Sequence, residues 1–454
     1  MTENPSLELS LCFKESIKED LLPAFHAYIP YDLISGHIPS DSKASRERVF
    51  TAENTLLTML LSATQEDKSL QQGVNVFKHV FEGRCRQICQ KEEDELERQR
   101  NQSQGVVARP GRPRKYQSKL SKTKKQEISN NTAAYSNARK KIDKELLAKV
   151  FEHSTRFSEL DRECWFGMKT YISDGTYLQL QDTDDIKTEY YVKGMESSYP
   201  QALLQVFIRQ GTGSVSRFAM GTRHESELKL VIPMIKQMEE SDLLLADDLY
   251  NSYYHFVLII SQKSHMIVPG KRDRKYTVIK ELSDNDQIVE ISKTRCPDYL
   301  DREEWKSIPE KLRLRRISYT YPTAKGMQEC VLYTTILDER IKTIDIILKY
   351  STRWDIEISI REVKTLMDIN VLRSKSRDMM IKELTVALTA YNMVRRVIAQ
   401  SAGAAGISPQ DNIFQKCASI GRPILMDKKG RVFHKWSTGR HGKTAQTNKL
   451  PSYS

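Results

Sequence analysis

Two aspartates in this sequence stand where an apolar strand pattern ends. Asp174 follows the apolar half of a strand and precedes Gly175, where a side chain is expected at a sheet edge with open backbone beside it. Asp247 follows the run LLLA, and a charge beside a buried strand is costly unless a cation or hydrogen bonds compensate it. Asp248 competes for this role, but strand alternation from Leu245 favours Asp247. A turn residue and a helix N-cap are the alternatives for the two positions.

A third carboxylate, Glu357, belongs to the segment YSTRWDIEISIREVK, residues 350–364. Tyr350, Arg353, Glu357 and Lys364 are spaced by three, four and seven residues. On one helix this spacing forms a single polar stripe about 20 Å long. The opposite face is apolar, with Ile356, Ile360, Val363, Leu366 and Met367. The pattern predicts a helix packed on a core with a reactive edge turned outward; a solvated charged face is the alternative.

Three carboxylates on separate elements form the set of oxygen donors that a hard divalent cation requires. Two such ions about 4 Å apart can activate water or a 3′ hydroxyl and stabilise the leaving oxygen in phosphodiester displacement. Arg353 and Lys364 lie above and below Glu357, where they are predicted to hold DNA phosphates, and Arg361 lies close to the stripe. Tyr350 is expected to hydrogen-bond a phosphate or to stack on an unpaired base.

The overall charge also favours a polyanionic partner. Among 454 residues, Lys and Arg outnumber Asp and Glu by 71 to 59, a formal net charge of +12. The seven cysteines are scattered, and the pair Cys85 and Cys89 has no second pair to complete a zinc site. The N-terminus is too acidic for a signal peptide, and no apolar run approaches the length of a membrane span. We therefore expect a cytoplasmic protein that binds DNA.

The first part of the chain divides into a helical region and a basic linker. Residues 1–98 are predicted to form a helical, DNA-binding region, in which Thr51 is the expected N-cap of a helix. Residues 99–130 form a basic linker whose core, GRPRK, resembles the AT-hook, a segment that lays arginines along the minor groove of A/T-rich DNA. Arg109, Arg112 and Arg114 are its candidate DNA contacts. A solvated linker without such contacts is the more common outcome for so short a motif.

The remainder alternates between strands and helices, which indicates an α/β fold with a mixed sheet and flanking helices. Residues 131–275 are expected to form the first part of the catalytic domain with a leading helix, and they include one amphipathic helix in HESELKLVIPMIKQM. Residues 276–340 read as hairpins and predict a β-rich insertion. Residues 341–405 are predicted to be the C-terminal helices that carry Glu357, and residues 406–454 a basic, disordered tail.

Taken together, these motifs resemble those of DDE transposases of the insertion sequence 4 family. The family signature Y-x2-R-x3-E-x6-K matches Tyr350, Arg353, Glu357 and Lys364 without a gap. The first catalytic Asp of the family lies in a D-G-[ST] strand context, here ISDGTYLQLQDT, and the second in a context like A-D-R-G-[FY], here LADDLYNS. Asp248 stands where Arg is common, which leaves both aspartates as candidates for the second position. The resemblance spans roughly residues 45 to 400.

This resemblance implies a ribonuclease-H-like catalytic fold with a β insertion between the second Asp and the Glu. It implies catalysis and metal binding by Asp174, Asp247 and Glu357, with Mg²⁺ as the cofactor and Mn²⁺ as an alternative. It also implies binding to the terminal inverted repeats of an insertion sequence, cut-and-paste movement, and a homodimer that holds both ends in a synaptic complex in the bacterial nucleoid. Trp305, in the insertion, is a candidate to contact a flipped base near the cut, and a structural Trp is the alternative.

Three rival functions are also compatible with these motifs. A structure-selective nuclease of the same fold would cut DNA without joining ends. A non-catalytic DNA-binding derivative of a transposase would bind DNA without cutting it. A tyrosine recombinase using Tyr350 is the third, although the chain offers no convincing His-x-x-Arg partner for it.

Overall fold

The structure is a computed structural model that describes residues 29–35, 50–65, 67–78, 131–156, 164–191, 199–270, 274–323, 326–405, 424–426 and 432–434. In the N-terminal part the helices are α1 (Tyr31–Ser35), α2 (Ala52–Ala63), α3 (Ala133–Lys141) and α4 (Lys144–Ser154), with further helical residues at 70–78. Thr51 caps α2 as predicted, because its hydroxyl accepts a hydrogen bond from the Asn54 amide at 3.1 Å.

One large sheet organises the rest of the chain. Its first five strands are β1 (Thr170–Gln179), β2 (Gln201–Arg209), β3 (Val215–Thr222), β4 (Leu243–Leu245) and β5 (His265–Pro269). The connecting helices are α5 (Asp184–Tyr190), α6 (Glu227–Leu230), α7 (Ile232–Ile235) and α8 (Tyr253–Ser261). The amphipathic helix predicted over HESELKLVIPMIKQM is thus two short helices, and Pro233 stands in the first turn of the second one.

The strand order in this half of the sheet is β3-β2-β1-β4-β5. Strands β1, β2 and β3 are antiparallel to one another, whereas β4 and β5 run parallel to β1. This is the ribonuclease-H-like arrangement, so the predicted fold class is confirmed. A parallel pair needs a crossover, and the segment of α6 and α7 supplies the one that precedes β4.

The strands that follow extend the same sheet. They are β6 (Thr277–Ser283), β7 (Asp286–Ser292), β8 (Lys311–Thr323) and β9 (Gly326–Thr334), with α9 (Arg302–Ser307) between β7 and β8. They continue beyond β5 in the order β9-β8-β7-β6, all antiparallel. A buried ion pair between Arg315 and Asp286, 2.5 Å apart, also engages Thr343, whose hydroxyl lies 2.5 Å from the Asp286 carboxylate. This contact ties the added strands to the helix that begins at Thr343.

The C-terminal helices are α10 (Thr343–Ser351), α11 (Asp355–Met367) and α12 (Arg377–Ala405). A 3₁₀ turn, Thr352–Trp354, separates α10 from α11, so the segment 350–364 is not one uniform α-helix. The hydroxyls of Ser351 and Thr352 bond back to the carbonyls of Leu348 and Lys349, each at 2.7 Å, a pattern that bends helices. Two further strands, β10 (Ile424–Met426) and β11 (Val432–His434), pair with each other.

Buried side chains form two apolar clusters, one on each face of the sheet. Ile172, Leu243 and Leu245 belong to the cluster that also contains residues of α10, α11 and α12, whereas Tyr171 and Leu244 belong to the cluster with α7 and α8. This division follows the alternation of side chains along each strand. The even-numbered positions of β1 therefore point to the face covered by α10 to α12, and the odd-numbered positions to the opposite face.

Candidate functional site

The site begins with two aspartates at neighbouring positions of the parallel pair β1 and β4. The register pairs Tyr171 with Leu244 and Ile172 with Leu245. Two residues further along each chain come Asp174, still within β1, and Asp247, just past the end of β4. Because adjacent strands lie about 4.8 Å apart, this register brings the two side chains together. Both belong to the alternation that faces α10 to α12.

The environment of Asp174 carries an excess of negative charge. Burial raises the pKa of its carboxyl, and Asp247 and Glu357 raise it further, while the Gly175 amide and the Arg353 guanidinium oppose the shift. The amide contact is a hydrogen bond of 2.9 Å from Gly175 N to Asp174 Oδ1. Asp174 is therefore close enough to Asp247, Glu357 and Arg353 for their charges to act on it.

Asp247 and Asp248 differ clearly in their surroundings. Asp247 is half-buried and caps the 3₁₀ turn Asp248–Tyr250, accepting a hydrogen bond of 3.0 Å from the Leu249 amide. Burial raises the pKa of Asp247, Asp248 raises it further, and Arg353 lowers it. Asp248 is exposed and lines a separate cavity of about 860 Å³ between this turn and the added strands. The helix expected after Asp247 begins instead at Tyr253 with Ser252 as its N-cap, so Asp247 caps only the 3₁₀ turn, and its role in the site stays a prediction.

Behind the aspartates lies a buried network that the sequence did not indicate. The Gln205 amide nitrogen donates to Ser173 Oγ at 2.8 Å and to the Tyr250 hydroxyl at 2.6 Å, and the Tyr250 hydroxyl lies 3.3 Å from Ser173 Oγ. These residues come from β2, β1 and the turn after Asp247, so they fix the two aspartate-bearing segments to each other. Ser173 adjoins Asp174 in sequence, but nothing in the spacing of Gln205 and Tyr250 signals this contact.

Glu227, the first residue of α6, is a further carboxylate of this region. Burial raises the pKa of Glu227, and Asp247 and Asp174 raise it further. Because the charges of both aspartates act on Glu227, this carboxylate belongs to the same electrostatic environment as the predicted triad. The sequence pattern placed it at the start of a helix with no functional signal.

Tyr350 is buried rather than turned outward. It is 7 % exposed, and its hydroxyl lies 3.4 Å from the carbonyl oxygen of Ala246, the residue before Asp247. The prediction of one outward stripe is therefore wrong at this position. The stripe assumed about 100° per residue throughout, and three residues in 3₁₀ geometry advance about 60° further, which separates the faces of Tyr350 and Glu357. A contact between this ring and DNA would require the ring to leave the core.

The other three signature residues are at least partly exposed, as is the neighbouring Arg361. Glu357 and Arg361 are exposed on α11, and Lys364 is partly exposed, with a pKa lowered by burial. Arg353 packs its guanidinium over the Trp354 ring at 4.4 Å, and its Nε is buried with no hydrogen-bond partner among the described residues. Arg353 as a whole is partly exposed, although this Nε itself is buried.

The position of α11 relative to β1 is fixed by main-chain bonds. The amide of Gln179, at the end of β1, donates to the carbonyl of Asn370 at 2.8 Å, and the amide of Leu372 donates to the carbonyl of Gln179 at 2.9 Å. Because α11 ends at Met367, only a few residues before this contact, the helix that carries Glu357 is held beside the strand that carries Asp174.

Two groups of predicted DNA contacts do not join the site. Trp305 is 8 % exposed in the core below α8, where its ring packs edge-on against Tyr253 at 6.1 Å. In this position the Trp305 ring has no free face for a base. Its placement is that of a structural core residue, the alternative named above. Arg109, Arg112 and Arg114 lie outside the described residues, and their role stays a prediction.

The donor chemistry of the triad suits a hard divalent cation, since all of its side-chain ligands are carboxylate oxygens. Within the residues that the structure describes, no three His, Cys, Asp or Glu side chains converge closely enough to bind one ion. The triad is thus in electrostatic contact without a closed ligand geometry, and Glu357 is its exposed member. Those described residues also contain no helix long and apolar enough to cross a membrane.

Comparison with known proteins identifies the family. A family model described as a transposase DDE domain matches residues 165–393, half of the chain, and this range contains all three carboxylates. The transposase InsG for insertion sequence element IS4 of Escherichia coli strain K12 is 25 % identical over 307 residues, which cover 64 % of this chain and 67 % of that protein.

Among solved structures, the piggyBac transposase synaptic complex with hairpin DNA covers 87 % of this chain and 79 % of its own, with 8 % identity and a TM-score of 0.37. That overall likeness is too weak to add to the assignment, which stands on the family model and the strand order. The chain belongs to the DDE transposases of the insertion sequence 4 family and is a DNA transposase, an enzyme of a family that depends on divalent metal ions.

Proposed function

We propose that this transposase binds the terminal inverted repeats of its insertion sequence and moves it by a cut-and-paste route, through hydrolysis and strand transfer at phosphodiester bonds. The observation that carries the proposal is the β1–β4 register, which brings Asp174 beside Asp247 on the face covered by the helix of Glu357. Charge coupling between Asp174 and both other carboxylates supports the same grouping.

In this proposal Asp174, Asp247 and Glu357 hold Mg²⁺, with Mn²⁺ as an alternative and a two-ion arrangement as the expected form. When bound, such ions activate the attacking oxygen and neutralise charge at the scissile phosphate. Asp247 is preferred over Asp248 because it is the aspartate that acts on Asp174.

Basic side chains around the triad are proposed to position the DNA. Arg353 is partly exposed and its charge acts on both aspartates, so its guanidinium is suited to hold a phosphate next to them. Arg361 and Lys364 follow Glu357 by one and two helical turns on α11 and extend the basic surface along the backbone. Tyr350 is instead proposed to act from the core, where its hydroxyl lies next to the Ala246 carbonyl and fixes the end of β4.

The assembly and the domain roles belong to the same proposal. A homodimer is proposed because two element ends must be held together for joining. We propose that residues 1–98 contribute to DNA binding, that residues 131–275 and 341–405 form the catalytic domain around the insertion 276–340, and that the protein acts at the bacterial nucleoid. Light scattering of the protein with and without a duplex of one element end tests the dimer.

The decisive experiment incubates the full-length protein with a labelled element end, target DNA and Mg²⁺. We expect cleavage at the end and a joined product. Glu357→Gln should bind the end with unchanged affinity and lose both products, whereas Asp368→Asn, at the far end of α11, should behave as the parent. Cleavage without a joined product would favour the nuclease alternative, and binding without cleavage by the parent would favour the non-catalytic one.

A further inference from the structure

Two oxygen atoms converge behind Asp174, on the opposite face of β1. A β carbon placed on Gly175 would lie 2.9 Å from Oε1 of Gln205 and 3.0 Å from Oε1 of Glu227. Both oxygens thus pack closely against the backbone of Gly175. Gly175 leaves this space open, and a side chain there would displace one of the two groups.

The Gln205 oxygen has an unused acceptor capacity. The Gln205 side chain is fully buried, and its amide nitrogen is already engaged by Ser173 and Tyr250, which fixes the direction of the amide. Its Oε1 has no hydrogen-bond partner among the described residues. A buried acceptor without a partner is costly, and here it faces a carboxylate, which is also an acceptor. Two neighbouring acceptors, one of them a carboxylate, favour positive charge in this region of the site.

The carboxylate of Glu227 is held in place by its own helix. The imidazole of His255, fully buried in α8, lies 2.9 Å from the carbonyl oxygen of Leu228, the residue after Glu227. The other imidazole nitrogen lies 2.8 Å from Ser252 Oγ. Glu227 therefore starts from an anchored turn, and its reach toward Gly175 does not depend on a mobile loop.

Glu227 is also coupled to the triad by charge. Asp247 and Asp174 both raise the pKa of Glu227, in addition to burial. Since interactions of charged groups in a partly buried site extend over several ångströms, a negative charge at Glu227 acts on any cation that the two aspartates bind.

We propose that Glu227, together with the amide oxygen of Gln205, is an outer part of the divalent-cation site: a positioning residue that acts from the rear face of β1 and raises the affinity of Asp174 and Asp247 for the ion. Glu227 does not contact the scissile phosphate in this role. The inference rests on the proposed function, in which the two aspartates bind the ion.

Equilibrium binding of Mn²⁺ to the full-length protein without DNA tests this role, with free Mn²⁺ measured by electron paramagnetic resonance. Glu227→Gln keeps the shape of the side chain and removes its charge, so we expect the dissociation constant for Mn²⁺ to rise about threefold to tenfold. Glu227→Asp keeps the charge at a shorter reach and should fall between the parent and Glu227→Gln. DNA cleavage by Glu227→Gln should recover to within about twofold of the parent at saturating Mn²⁺, since no group that touches the reacting atoms is lost.

Two further variants separate the outcomes. Glu240→Gln removes the same charge near the opposite end of β4 and should leave Mn²⁺ binding within about twofold of the parent, because that site is remote and solvent-exposed. Asp174→Asn should abolish Mn²⁺ binding; if it does not, the proposed cation site itself is wrong. If Asp174→Asn abolishes binding and Glu227→Gln binds Mn²⁺ as the parent does, the site stands and the role of Glu227 is overturned. A cleavage defect of Glu227→Gln that persists at saturating Mn²⁺ would equally overturn a role confined to the cation.

Discussion

At the scale of single residues, Asp247 and Asp248 carry the same side chain, but the local structure gives them different surroundings. Asp247 is half-buried and capped onto a 3₁₀ turn, and it acts on Asp174, whereas Asp248 is exposed and lines a different cavity. The alternation argument from Leu245 favours Asp247, because the parity of a strand extends one or two residues past its end, and the catalytic role of Asp247 stays a prediction.

The pair offers a matched mutational test. Asp247→Asn should reduce cleavage of an element end by roughly a hundredfold or more, as expected for the loss of several kcal/mol of charge stabilisation at a metal site. Asp248→Asn should stay within about threefold of the parent, because Asp248 is exposed and lines a different cavity. Gel-based cleavage rates at saturating Mg²⁺ measure both. The opposite ranking would move the second catalytic position to Asp248.

Trp305 provides the second test at this scale. Its ring is in the core against Tyr253, and Lys293 Nζ lies 5.5 Å from the ring centroid. Trp305→Ala should therefore lower the free energy of unfolding by about 3–5 kcal/mol, the usual cost of emptying such a site. Trp305→Phe should recover part of that loss and cleave element ends at close to the parental rate. A stable Trp305→Phe protein with a large loss of cleavage would instead restore the base-contacting role.

At the scale of elements, the strands of the catalytic half were predictable and the tertiary contacts were not. β1 and β4 form at the apolar stretches that indicated them before Asp174 and Asp247, since alternation and apolar runs are local signals. The helical stripe failed at Tyr350 because a 3₁₀ turn interrupts the periodicity. Gln205 and Glu227 were missed because only the pairing of β1 with β2 and the packing of α6 bring them behind Asp174.

The anchoring of α6 by α8 makes a prediction about pH. Burial of His255 lowers its pKa from 6.5 to about 4, so the folded protein keeps the imidazole neutral where the unfolded chain protonates it. The unfolded state therefore takes up a proton below pH 6.5, and the free energy of unfolding should fall as the pH decreases from 6.5 to about 4. Urea denaturation across this range measures the slope, which His255→Gln should flatten.

The effect of His255 is the difference between the pH slopes of the variant and the parent, because Glu362 also titrates between pH 4.5 and about 7. Burial raises the pKa of Glu362 from 4.5 to about 7 despite its ion pair with Arg395, so its contribution to stability is lost as the pH rises through that window. The two effects oppose each other in the parent. Equal pH slopes for His255→Gln and the parent would show that the His255 imidazole is not the buried neutral group described above.

At the scale of the whole molecule, the net charge of +12 bears on how DNA is bound. Each phosphate that a Lys or Arg neutralises releases condensed counterions, so the logarithm of the binding constant falls with the logarithm of salt concentration by about 0.9 per contact. The chain can distribute such contacts between the surface of α11, with Arg361 and Lys364, and the basic linker 99–130. The slope therefore counts contacts irrespective of which segment makes them.

Removing the two central arginines of the linker should identify its share. If GRPRK lies along the minor groove, Arg112→Ala/Arg114→Ala should reduce the salt slope by about 2 and weaken binding to an A/T-rich duplex more than to a G/C-rich one, because the narrow A/T groove carries the stronger negative potential. Fluorescence anisotropy of both duplexes between about 50 and 300 mM salt measures the slopes, a range over which phosphate contacts dominate. Lys263→Ala/Lys306→Ala removes the same charge from exposed lysines that are paired with acidic residues, and it should leave the slope unchanged. Equal slopes for the two double variants would show that Arg112 and Arg114 make no phosphate contacts and would leave DNA binding to other segments of the chain.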